Sequence, residues 1–191
     1  MTTGALILAA GMGRRMGGVS KACVRYDGMT FLERIRSTCL KAHIEECLVV
    51  LGPKHFEEDA LEAKRLDMPV CFNPDAVGEG MASSVSAGFA RLTTSVWEAS
   101  FLWPVDIPFV EAKTIELMSS KFEKGSVLVP HYKGLAGHPP LIAKDYFEDF
   151  KESKHDPLGA KGVMRSITRY VSIPVLDPSI LKDIDEKKDL K

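Results

Sequence analysis

The chain lacks a surplus of charge of either sign: 25 lysines and arginines face 26 aspartates and glutamates, a formal net charge of −1 over 191 residues. Binding nucleic acid by neutralising its phosphates needs a basic surplus, so that class is excluded in bulk and only local basic patches remain. Long apolar runs are missing too. The stretch Ala5 to Ala10 is far shorter than the roughly 20 residues that span a bilayer. A signal peptide places basic residues before its apolar segment, whereas Arg14 and Arg15 follow this one. The expectation is a cytoplasmic protein with no membrane partner. Cysteine is scarce: Cys23, Cys39, Cys47 and Cys71 show no C-x-x-C spacing and lie in or beside apolar segments. They read as reduced, mostly buried thiols, which argues against a disulfide framework or a zinc site. What is present, 45% apolar and 27% charged residues, fits one globular domain over 1–191.

Strands and helices alternate along the chain. Gly4 to Ala10 is a continuous apolar run ending in glycines, as expected of a strand buried on both faces of a parallel sheet. Thr30-x-x-Glu33 is a capping box that opens an amphipathic helix. Further strands are expected at Cys47–Leu51, Pro69–Phe72, Ser100–Trp103, Ser126–Val129 and Tyr170–Val175. Helices are expected over Pro53–Leu66, Met81–Arg91, Glu111–Phe122 and Leu158–Ile167, the last with Asp156-Pro157 as N-cap and first turn. Asn73–Gly80 reads as a loop, His131–Ile142 carries turn residues and two prolines, and the tail from Lys182 is charged. The pattern predicts a Rossmann-like three-layer α/β/α fold with a mostly parallel mixed sheet. Ligands bind beyond the carboxyl ends of such strands, so the loops at Gly11, Asn73 and Pro104 should share one mouth.

The first of these loops is the sharpest signal. In Leu8-Ala9-Ala10-Gly11-Met12-Gly13-Arg14-Arg15-Met16-Gly17, small residues let backbone N–H groups approach a phosphate, and Arg14, Arg15 and Lys21 supply charge. No G-K-[ST] follows and the G-x-G-x-x-G spacing is absent, which excludes a Walker loop and a dinucleotide fingerprint.

This run, followed shortly by Lys21, resembles the signature of nucleotidyltransferases with the GT-A-like fold, and its A-A-G form resembles their molybdenum cofactor cytidylyltransferase branch. Similar stretches extend along the chain: Asn73-Pro74 with Gly80-Met81-x-x-Ser84, Pro104-Val105-Asp106-x-Pro108, Gly137-His138-Pro139-Pro140-Leu141, Gly159-Ala160-Lys161-Gly162 and Asp183-Ile184-Asp185. Guanylyltransferases of the superfamily usually look like L-A-G-G, so the resemblance at Ala10 favours CTP over GTP.

The resemblance implies roles for these residues. Arg15, Lys21 and Asp106 would be catalytic. Leu8, Ala9, Ala10, Gly11, Gly13, Arg14, Lys21, Asn73, Gly80, Ser83 and Ser84 would bind the nucleotide. Asp106, at the end of an apolar strand, would hold Mg²⁺ against the α-phosphate, with Asp185 or Asp183 as second carboxylate if the tail folds back. Ser83 and Ser84, near a helix N-terminus, suit either the base and ribose or plain capping. His138 and Lys161 would meet the acceptor, although the family commonly has Arg where Lys161 stands, and Glu186 to Asp189 replace its usual T-P-E-D. The implied reaction joins CMP from CTP to a molybdopterin-type cofactor, releasing pyrophosphate, with a molybdenum enzyme as possible recipient. Transfer from GTP or UTP to another acceptor such as a sugar phosphate, and a non-catalytic cofactor carrier, are the alternatives.

Overall fold

In the computed structural model, which describes residues 2–190 without the side chains of Glu79 and Lys187, the first run forms β1 (Thr3–Leu8) in the middle of the sheet. The other elements in chain order are β2 (Arg25–Tyr26), β3 (Met29–Thr30), α1 (Phe31–Lys41), β4 (Glu46–Leu51), α2 (Phe56–Arg65), β5 (Val70–Phe72) and α3 (Ala76–Leu92). There follow β6 (Ala99–Pro104), α4 (Ala112–Ser120), β7 (Val127–Tyr132), β8 (Leu135–Ala136), β9 (Leu141–Ala143), α5 (Phe147–Lys151), α6 (Ala160–Ser166) and β10 (Tyr170–Pro174).

The sheet runs β10-β7-β9-β6-β1-β4-β5, with β8 paired to β7 and β2–β3 forming a separate hairpin. β1 is parallel to both β4 and β6, and only the short β8 and β9 run antiparallel within the main sheet. The mostly parallel mixed sheet is as expected. The alternation of β1 explains its unbroken apolar run. Ala5 and Ile7 join α1, α2 and α4 in one core, while Leu6 and Leu8 face α3, α5 and α6 in the other. Successive side chains of a strand point to opposite faces, so a strand covered on both sides must be apolar throughout.

Local signals place the helices. Thr30 accepts from the Glu33 amide at 3.0 Å and the Glu33 carboxylate accepts from the Thr30 amide, completing the capping box of α1. The small-residue composition of α3 reflects close packing, since a Cβ on Gly88 would lie 2.7 Å from Leu6 Cδ2. Phe89 of α3 closes that side against Phe147 and Phe150 of α5, at ring separations of 5.3 and 4.9 Å.

Several boundaries differ from the sequence reading. The segment expected as the loop Asn73–Gly80 already turns helical at Ala76, and the helix is broken rather than begun at Gly80 (φ 67°, ψ −150°). Residues 53–55 form a 3₁₀ turn ahead of α2, and Glu111 is the N-cap of α4 rather than part of it. The helix expected from Leu158 starts at Ala160, because the Asp156 carboxylate accepts from the Leu158 amide in a local turn instead of capping. The segment His131–Ile142, with its turn residues and two prolines, contains the last two residues of β7, all of β8 and the first two residues of β9. The short α5 has too few residues to show a helical period. No helix among the described residues is long and apolar enough to cross a membrane.

Strand order reverses beside β1. The chain moves outward to β4 and β5, then returns to β6 on the other side. At such a switch point the loops after neighbouring strands diverge and leave a crevice.

Candidate active site

The loops after β1 and β6 line a cleft of about 350 Å³ at this crevice, within the size range of nucleotide and cofactor sites. The cleft brings together Leu8, Ala10, Gly11, Gly13, Arg14 and Arg15 of the first loop. Gly80, Met81 and Ser84 come from α3, and Lys21, Asp106 and Asp185 complete the lining.

The first loop is wound about Gly13 (φ 58°), whose carbonyl accepts from the Met16 amide at 3.0 Å and the Gly18 amide at 2.9 Å. Met16 is buried beneath it, and Lys54 donates from α2's leading turn to the Met12 carbonyl at 3.0 Å. The amides of Gly11, Met12 and Gly13 donate to no protein acceptor among the described residues. Unpaired amides beside a cation are what an anionic ligand requires.

The cations and carboxylates meet at Lys21. Its Nζ donates to Asp106 Oδ2 at 2.9 Å and to Asp185 Oδ1 at 2.6 Å, and Arg15 Nη1 donates to Asp185 Oδ2 at 2.5 Å. Burial is the largest single influence on the Lys21 ammonium and lowers its pKa, but the hydrogen bonds and charges of Asp185 and Asp106 together raise it above the usual value. Lys21 therefore stays a cation. Arg15 is largely exposed, so its pair is screened and adds little to stability.

The tail reaches the site through buried anchors. Asp177 accepts from the Glu111 amide at 2.8 Å and the Thr114 hydroxyl at 3.0 Å, Ile180 accepts from the His138 amide at 2.9 Å, and the Ile184 amide donates to the Asp106 carbonyl at 2.8 Å. Ile184 is fully buried between exposed Asp183 and half-buried Asp185, so alternation turns only Asp185 and Asp183 away from the core. Of these two, Asp185 meets the cations.

Other sequence candidates lie elsewhere. Ala9 turns into the core on the far side of β1. Asn73 and Ser83 are buried behind the cleft: Asn73 Nδ2 donates to the hydroxyls of Ser83 and Ser84 at 3.0 Å each, and Ser83 donates to the Gly80 carbonyl at 2.8 Å. Their contacts fix the broken helix rather than reach into the mouth. His138 and Lys161 stand outside the cleft lining, both exposed. Crowding by the surrounding protein lowers the His138 pKa, against the pull of Asp106 and Asp183 and with a smaller push from Lys161.

Sequence reading missed Lys54 and a buried carboxylate behind Lys21. Asp59 is 1% exposed and accepts from the Ser20 hydroxyl and, at 3.6 Å, from the Cys23 thiol. Burial pushes its pKa up to about 6; Ser20, Cys23 and His55 oppose that rise and Glu58 adds to it. Its native pKa lies above the unfolded value, so the folded chain holds the proton more tightly. The associated stability is full below about pH 4 and is lost as pH rises through 6, by roughly 2 to 3 kcal/mol. Asp59→Asn is expected to remove this dependence. Melting curves from pH 4.5 to 7.5 should show the variant gaining on the wild type as pH rises, and parallel curves would refute the shift.

The sheet reverses its order beside a glycine-rich loop and a pair of carboxylates, the α/β architecture of nucleotidyltransferase-like folds. The chain belongs to the MobA-like NTP transferase domain family, whose pattern matches residues 5–173. It is 30% identical over 142 residues to a probable molybdenum cofactor guanylyltransferase of Methanosarcina acetivorans, covering 73% of this chain and 61% of that protein. The match thus spans about six-tenths of the relative's length. It is 27% identical over 188 residues to the nicotine blue oxidoreductase of Paenarthrobacter nicotinovorans, covering 94% and 90% of the two chains. The fold is similar to that of Rv0371c from Mycobacterium tuberculosis H37Rv in complex with manganese, with a TM-score of 0.78 and 21% identity over 99% of this chain and 96% of that one.

Proposed function

We propose that this protein is a divalent-metal-dependent nucleotidyltransferase that joins CMP from CTP to a molybdopterin-type cofactor and releases pyrophosphate. The observation that carries the reading is the Lys21 ammonium between Asp106 and Asp185, next to a loop with unpaired amides. Two carboxylates that already converge on one cation suit Mg²⁺ or Mn²⁺. No cluster of three or more acidic, His or Cys side chains surrounds them among the described residues, and magnesium commonly takes one or two carboxylates with phosphates and water. When bound there, the metal supplies positive charge to the α-phosphate.

The chain's own residues do the rest. Amides of Gly11 to Gly13 receive the triphosphate, and Lys21 and Arg15 turn from the carboxylates to its oxygens. An oxygen of the acceptor phosphate attacks the α-phosphorus, and the bond to the bridging β-phosphate oxygen breaks. The electron pair leaves with pyrophosphate, whose charge Lys21 and Arg15 neutralise. A phosphate nucleophile needs no general base, consistent with His138 serving the acceptor by contact. The molybdopterin-type acceptor follows the curated guanylyltransferase relative. CTP follows the resemblance of the A-A-G form at Ala10, a residue that lines the cleft.

Thermal shifts with CTP, GTP, UTP and ATP in Mg²⁺ test this reading. A nucleotide at about 100 times its dissociation constant adds roughly 2.7 kcal/mol, on the order of 5 to 10 °C for a domain of this size. A shift with CTP alone is expected. Preference for GTP would overturn the donor assignment, and no response to any triphosphate would overturn the transferase. The near-full-length likeness to nicotine blue oxidoreductase favours a second reading, an oxidoreductase on the same domain. Triphosphate-dependent release of pyrophosphate with a cofactor acceptor separates the two.

A further inference from the structure

Lys21 is held from behind by groups that the cleft never touches. Ser20, its neighbour, is buried; its hydroxyl donates to Asp59 Oδ1 and accepts from the Cys23 amide at 3.2 Å. The Cys23 thiol donates to the same carboxylate oxygen at 3.6 Å and lies 3.8 Å from the Glu58 carbonyl. Residues 20 and 23 therefore meet on one atom of α2, and Lys21 sits on the short bow between them.

Asp59 is costly where it stands. It is almost fully buried, and no lysine or arginine pairs with it among the described residues. Burying a carboxylate without a cation is unfavourable. The first turn of α2 already carries Glu57 and Glu58 to complement its dipole, so the helix has no need of a third carboxylate turned inward. The cysteine is no competitor as a nucleophile, because burial pushes its thiol up to about 11 and leaves it a hydrogen-bond donor. Groups that lower stability and fasten a functional loop mark a site where geometry outweighs stability.

We infer that Asp59 is a positioning residue for nucleotide transfer, fixing the 20–23 bow through Ser20 and Cys23 so that the Lys21 ammonium is delivered to the junction of Asp106 and Asp185. A lysine has four rotatable side-chain bonds, and a wandering backbone would add to the entropy lost each time it engages a phosphate. The inference rests on Lys21 being the counter-charge of the triphosphate.

The test uses Asp59→Leu, Asp59→Asn and Ser20→Ala in the full chain, each with and without Lys21→Ala. Affinity for magnesium-CTP by calorimetry and amide hydrogen exchange over 19–24 are the readouts. Asp59→Leu is expected to weaken binding about tenfold and to accelerate exchange in that segment, without lowering Tm at pH 8. Asp59→Asn keeps an oxygen acceptor for Ser20 and should return affinity to within twofold. In the Lys21→Ala background Asp59→Leu should change affinity less than twofold, because a residue acting through Lys21 has nothing left to act on. Unchanged affinity, or an equal loss in both backgrounds, overturns the inference. If the wild type binds no triphosphate, the functional reading fails separately. Exchange then decides: faster exchange confined to 19–24 and reversed by Asp59→Asn supports the anchor, and unchanged exchange refutes it. If Asp59→Leu does not fold, Ser20→Ala carries the same comparisons.

Discussion

Asp106→Asn is expected to lower pyrophosphate release from CTP and acceptor about a thousandfold, roughly 4 kcal/mol of transition-state stabilisation, with the fold intact. The two halves of that expectation come from different atoms of one residue. The carboxylate faces Lys21 across 2.9 Å and is the group suited to a metal ion, and an amide is a poor replacement because it carries no charge. The backbone carbonyl, by contrast, receives the Ile184 amide at 2.8 Å and keeps the tail docked whichever side chain is present. Tm should therefore move by only a few degrees, and added CTP with metal should no longer raise it. A loss of activity smaller than tenfold would remove Asp106 from the reaction.

Gly13→Ala should be the most damaging single methyl in the cleft. A Cβ at residue 13 would lie 1.9 Å from the Val19 carbonyl oxygen, and φ of 58° is already disfavoured for alanine. Backbone cannot step aside as a flexible side chain can, so the loop must open. Opening breaks the bonds from Met16 and Gly18 to the Gly13 carbonyl and scatters the unpaired amides. Nucleotide affinity is expected to fall at least a hundredfold. Gly17→Ala is the matched control. Residue 17 also has a positive φ, 82°, but no atom lies within 4 Å of its added Cβ, so only backbone strain of about 1 kcal/mol remains. Calorimetry on both variants separates collision from strain, and equal losses would show that the Val19 contact is unimportant.

Much of the fold was legible because its signals are local. Ala5 to Leu8 are buried alternately in two cores, and an unbroken apolar run is the only sequence that satisfies both faces of a covered strand. The Thr30–Glu33 capping box closes within four residues, and both of its bonds form. The glycine-rich loop was legible for the same reason, since glycine spacing and nearby cations occupy one short segment. Helix starts were less so: Gly80 interrupts α3 after a first turn, and Asp156 spends its carboxylate on a turn.

By itself, then, the sequence determined the α/β layering, the glycine-rich loop after β1 and the aspartate after β6, all consequences of neighbours along the chain. Only the tertiary structure decided which tail carboxylate meets Lys21, across 164 residues, and that Asp59 anchors the loop from 39 residues away. It also turned Asn73 and Ser83 inward, where buried polar groups must find partners. Contacts of that kind leave no period or spacing in the sequence. They arise because the strand order reverses beside β1, which brings the ends of distant segments to one crevice.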